Sequence, residues 1–198
     1  MVYRLMCKRR SIRKFFGRPV PVDMIDEIIR AGQLAPSAKN RQPWKYIVFG
    51  NENKAELVRC MERGLLREET GTPLLPKSRY GLPDARNTLR VMQEAPIVIV
   101  AINTNGGDPF LPIGGDERIT EICDSLSIGA SIENMLLMAE QLGLGSLWIG
   151  NTCFAYTELM EYIKADGQII GAIALGYADE QPRQRPRKSF AEIAEYRL

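Results

Sequence analysis

The spacing of apolar residues changes several times along the chain, and each change marks an element. Met24, Ile25, Ile28, Ile29 and Leu34 recur near every 3.6 residues after Asp23. This predicts a helix over about 22–34 that stops before Pro36. PSAKNRQP is a loop by composition, and WKYIVFG reads as a strand. NENKAELVRCMERGLL predicts an amphipathic helix capped near Asn51. The next stretch, LREETGTPLLPKSRYGLPDARN, contains Gly71, Pro73, Pro76, Gly81 and Pro83 and sustains no period. Within a compact domain such a segment is expected to form a lid, here over 65–90.

PIVIVAIN, residues 96–103, is a continuous β-branched run and predicts a buried strand. A helix follows over 125–142, with Leu126, Ile128, Ala130, Ile132, Met135, Leu136, Leu137, Ala139 and Leu142 on nearly every face. A helix of this kind is either central to a core or shared with a partner. Gly143 and Gly145 are expected to cap its C-terminus. SLWIG and IIGAIALGY predict two more buried strands, with a helix over 155–165 between them. No repeat or linker interrupts the order, so residues 1–198 are expected to form a single α+β domain.

Composition narrows the chemistry. The 198 residues, 45% hydrophobic, suffice for one sizeable core. No 18-residue apolar run is present and the first residues lack the apolar core of a secretory signal, so a soluble, cytoplasmic chain is expected, with no membrane partner. The four cysteines are scattered without a C-x-x-C pair and are expected to be buried, reduced thiols. There is no histidine. That excludes a Ser-His-Asp triad, a Cys-His pair and a His-ligated metal. An enzyme built from this chain would lean on a cofactor.

The net charge of +2 hides two concentrations of positive charge. RRSIRK at 9–14 and RQRPRK at 183–188 each hold four basic residues and no acid. Two or three Arg forks and the Ser11 hydroxyl match the oxygens of a phosphate, which bears a charge of about −1.5 to −2. The alternative for the first cluster is a solvated basic arm. For the tail it is a nucleic-acid arm, but Pro182 and Pro186 favour an extended segment that Phe190 and Ile193 dock back onto the domain. In APSAKNRQPW, Asn40 and Gln42 offer the paired donors and acceptors that read a flat heterocycle, or they simply make a turn. Trp44 is expected in the core.

RRSIRKF, APSAKNRQPW, GLGSLWIG and LGYADEQPRQRPRKSFAEI occur in the same order as in the nitroreductase family of flavoproteins, which the chain resembles over nearly its whole length. The resemblance implies a mixed central sheet flanked by helices, with the long helix at a homodimer interface. It also implies FMN as cofactor, NADH or NADPH as donor, a small-molecule acceptor and no nucleic acid. The phosphate would fall to Arg9, Ser11, Arg185 and Arg187 with Arg10 alongside, and Arg13 to the N1 and O2 edge of the flavin. Pro36, Ser37, Asn40 and Gln42 would reach the flavin, the Pro-Ser part from the other subunit. Trp148, Ile149 and Gly150 would lie beside the ring. Gly150 departs from relatives that carry an acid there. Tyr80, Leu82 and Arg86 are candidates to touch an acceptor from the lid. The implied activity is ping-pong reduction of nitroaromatics, quinones or related acceptors. A reductive dehalogenase, a flavin-consuming synthase and a non-catalytic flavin-binding protein are the alternatives.

Overall fold

The computed structural model describes residues 2–198. In chain order it contains α1 (Val2–Lys8), β1 (Phe15–Phe16), α2 (Val22–Gln33), β2 (Trp44–Gly50), α3 (Asn51–Thr70), α4 (Leu82–Glu94), β3 (Ile97–Asn103), α5 (Gly115–Gln141), β4 (Gly145–Ile149), α6 (Tyr156–Ile163), β5 (Gln168–Ala178) and α7 (Phe190–Ile193). β5 is the hub of the five-stranded sheet. It pairs with β3 along one edge and with both β4 and β1 along the other, and β3 pairs with β2. These ladders are antiparallel, and a single parallel bridge joins Ser11 to Ser146.

β3 is apolar from Ile97 to Ile102 because both of its faces are covered. Val98, Val100 and Ile102 point into one core with Leu57, Met61, Leu65 and Leu89, while Ile99 and Ala101 point into the other with Ile28, Ile128, Ile132 and Met135. The two-residue period of a strand sends alternate side chains to opposite faces. The protein is therefore a three-layer α+β domain, with α3, α4 and α6 on one side of the sheet and α2 and α5 on the other. Trp44 is partly buried against the second core. No helix among the described residues is long and apolar enough to cross a membrane.

Several expectations change. The segment 65–90 has regular structure over most of its length: α3 runs to Thr70, a 3₁₀ turn spans Pro76–Gly81, and α4 begins at Leu82. Leu65, Leu82, Ala85 and Leu89 are buried. Pro83, read as a breaker, sits in the first turn of α4, where its missing N–H costs nothing. α5 starts at Gly115, ten residues before the expected 125. Gly143 takes the left-handed conformation that ends α5, but Gly145 belongs to β4. Only Cys60 is fully buried; Cys7 and Cys153 are exposed, because α1 buries none of its residues and Cys153 lies on a surface turn. The tail's apolar residues Phe190 and Ile193 are exposed rather than docked on their own domain.

Gly145 fixes where the first basic cluster sits. A Cβ there would lie 2.9 Å from both Cγ1 and Cγ2 of Ile12, and 3.0 Å from the Ala178 Cβ. Its bare backbone lets residues 11–12 lie against β4, where the Ile12 N–H donates to the Ser146 carbonyl at 2.9 Å. Gly145→Ala is expected to lower unfolding free energy by about 1–3 kcal/mol, measured by urea denaturation.

Candidate functional site

The two ends of the chain meet. Arg9, Arg10, Ser11 and Arg13 line one cavity of about 110 Å³ together with Arg183, Arg185 and Arg187. β5 explains the convergence. Its C-terminal end pairs with β1, Phe15 against Ala178, and the Asp179 N–H donates to the Lys14 carbonyl at 2.9 Å. The residues before β1 and those after β5 are thereby held side by side.

Six arginines and no acidic residue line this space. Two unit charges 4 Å apart repel by about 4 kcal/mol at an effective dielectric near 20. A dianion between them converts that repulsion to attraction. The volume equals that of a few waters at about 30 Å³ each, which suits one oxyanion group. Arg9 Nε is buried without a hydrogen-bond partner, although the Glu133 carboxylate lies 3.4 Å away. Arg10 is partly committed: its Nη1 donates to the Cys7, Lys8 and Arg9 carbonyls at 2.7, 3.0 and 2.8 Å and caps α1. Arg13 donates from Nη1 to the Ser11 carbonyl at 3.2 Å and from its backbone N–H to Glu180.

The loop 36–42 does not line this cavity. Lys39, Asn40 and Gln42 have φ of 54°, 52° and 49°, three left-handed residues without a glycine among them. Strain of this kind persists only where surrounding contacts hold it. The Ser37 hydroxyl accepts the Gln42 N–H at 3.0 Å, and the Ala38 N–H donates to the Ser127 hydroxyl at 3.2 Å. Pro36, Asn40 and Gln42 are exposed.

At the end of β4, Ile149 is buried, so it offers only its backbone to a ligand, while Trp148 is 43% exposed. A Cβ on Gly150 would meet nothing within 4 Å, so the position has room for a side chain. Of the residues expected at an acceptor, Leu82 packs in the core and Arg86 is ion-paired to Glu69 at 2.5 Å; Tyr80 is 87% exposed.

Sequence reasoning missed three connected residues. Arg41, between Asn40 and Gln42, donates from Nε and Nη2 to Asp124 Oδ1 at 2.9 and 2.7 Å. Asp124 Oδ2 accepts from Asn105 Nδ2 at 3.1 Å. Asn105 lines a second cavity of about 410 Å³ between the 105–113 loop and the first turns of α5. Phe110 of that loop stacks edge-on against Tyr156, with centroids 5.8 Å apart. Burial, with a smaller contribution from Asp108, pushes the Tyr156 phenol above its ordinary range. A signal was present: Asp124 is the only charge in ICDSLSIGASI.

A three-layer α+β fold here gathers arginines from both termini around a small cavity whose charge and size suit an oxyanion. The sequence comparison then identifies the family. The pattern of the Nitroreductase family matches residues 6–177, and the chain belongs to it. A chain from Methanothermobacter thermautotrophicus, provisionally named NADH dehydrogenase/NAD(P)H nitroreductase, is 27% identical over 185 residues, 89% of this chain and 77% of that one. The crystal structure of a nitroreductase-like family protein from Bacillus cereus superposes with a TM-score of 0.73 at 25% identity, covering 99% of this chain and 95% of that one. The FMN-dependent nitroreductase of Mycobacterium smegmatis, solved in complex with NADPH, shares the fold at a TM-score of 0.77 and 17% identity, over 99% and 97% of the two chains.

The arginine cavity is testable without any cofactor. Inorganic phosphate is expected to raise the melting temperature of the apoprotein, by about 2.7 kcal/mol of stability at a hundredfold excess over its Kd. Chloride at matched ionic strength should not do so, and the Arg185→Ala/Arg187→Ala protein should lose the response, as read by differential scanning fluorimetry.

Proposed function

We propose that this chain is a cytoplasmic, homodimeric FMN protein that oxidises NAD(P)H and reduces nitroaromatic, quinone or related acceptors. Family membership makes it an NAD(P)H-dependent oxidoreductase. The observation that carries the rest is the arginine cavity assembled from both ends of the chain.

Arg9, Ser11, Arg185 and Arg187 would hold the FMN phosphate, with Arg10 contributing the nitrogens it does not spend on α1. Six arginines around one small space suit a single oxyanion better than a polymer backbone, which a diffuse basic face would track. Arg13, which lines the same cavity, would provide a fixed cation for the N1 and O2 edge, where charge develops on reduction. Asn40 and Gln42 would offer amides to the heterocycle, and Trp148 with the Ile149 and Gly150 backbone would lie beside the ring. Bound FMN would supply the hydride acceptance and donation that a chain without histidine cannot provide itself. NAD(P)H and the acceptor then occupy one face in turn, the condition for ping-pong kinetics. Unpaired thiols at all four cysteines suit a reducing compartment.

The homodimer rests on α5. Ile128, Ile132, Met135 and Leu136 pack against the sheet, whereas Ile119, Ile122 and Leu126 form a stripe exposed to solvent, Leu126 by 70%. A second copy would cover that stripe and bring its own 36–42 loop to the neighbouring site. A second reading, reductive dehalogenation, draws on a 57-residue stretch 39% identical to rat iodotyrosine deiodinase 1, covering 29% of this chain and 20% of that one.

The visible spectrum of the purified protein, followed by anaerobic addition of NADH and of NADPH, tests the function. The expected outcome is a flavin absorbance that one or both nucleotides bleach and a quinone restores. A protein that neither carries nor takes up FMN refutes it, and faster turnover of an iodophenol than of a quinone selects the second reading. Leu126→Asp is expected to convert the dimer to monomer by light scattering and to weaken FMN retention in parallel.

A further inference from the structure

Asp124 is completely buried, so it touches neither cofactor nor acceptor, yet both of its oxygens are in use on opposite sides. One holds Arg41, the right-handed residue among three left-handed neighbours. The other holds Asn105, at the wall of the 410 Å³ cavity. One turn further along α5, Ser127 holds the start of the same loop through the Ala38 N–H. An ion pair with one member fully buried is costly to leave half-made, so the geometry of the pair is strongly imposed on its neighbours. Lys39 and Gln42, which have no intrinsic preference for the left-handed region, depend on such contacts to keep their backbone angles.

We propose that Asp124 is a positioning residue that sets the cofactor-reading loop through Arg41 and the wall of the adjacent cavity through Asn105, fixing the two to one point on α5. The proposal takes this cavity, joined to that loop through Asp124, to receive the acceptor. This inference rests on the proposed function, since it takes the loop to read FMN.

Four substitutions separate the branches, each tested by FMN titration of the apoprotein and by KM for 1,4-benzoquinone at saturating FMN. Arg41→Met should raise the FMN Kd about tenfold and leave the quinone KM near that of the wild type, as expected for loss of a charge-assisted contact. Asn105→Ala should raise the quinone KM and leave the FMN Kd unchanged. Asp124→Ala should move both. Asp124→Asn keeps the shape and a polar partner for Asn105 but not the charge, so it should restore KM and not FMN affinity. If the variants bind FMN and quinone as the wild type does and only their melting temperatures fall, Asp124 is a structural ion-pair residue and the inference is overturned. If wild-type protein takes up no FMN, or takes it up and does not oxidise NADH or NADPH with the quinone, the functional reading fails instead.

Discussion

The repulsion among guanidinium groups at the meeting of the two termini is the constraint around which this fold is arranged. Left free, the RRSIRK and RQRPRK segments would move apart. They are held by a strand with neighbours on both edges. β5 takes β3 along one edge, β4 and β1 along the other, and then runs directly into the tail. The Ile12–Ser146 and Lys14–Asp179 backbone hydrogen bonds align the two basic segments. Burial of β3 and β5 between two helical layers supplies the stability that lets the charges stay together. A cradle of this kind favours an anionic ligand, since binding relieves the repulsion among its guanidinium groups.

The elements that were legible in the sequence are those whose burial leaves a period. β3 and β5 are continuous apolar runs because both faces are covered, and α2 shows the 3.6-residue stripe of a helix with one wet face. α4 was hidden by its leading prolines and glycine, although Leu82, Ala85, Leu89 and Met92 carry a helical spacing. The start of α5 was hidden for another reason. Half of residues 115–124 are charged, and Ile119 and Ile122 among them face outward. Periodicity reports contact with a monomer's own core and is weak where a helix serves something else.

The candidate site divides along a similar line. Clustered arginines are visible as composition, so the anion cavity could be anticipated from two short strings of letters. The Arg41–Asp124–Asn105 chain could not, because its members are 83 and 19 residues apart and each letter alone is ordinary. Asp124 was nonetheless the one charge in an apolar and small-residue run. A lone acid in such a run, immediately before a helix read as apolar on nearly every face, calls for a partner. The loop it holds illustrates the converse. Lys39 and Gln42 take left-handed angles that no local propensity would assign, because tertiary contacts impose them.

The assembly of one cavity from residues 9–13 and 183–187 bears on the order of events during biosynthesis. A chain that stops before Arg183 has its sheet and both cores but only half of the arginines that line the cavity. Domains fold largely as they leave the ribosome. An anion bound there would join two segments flanking a scaffold that is complete without it, and would not act as a template for folding.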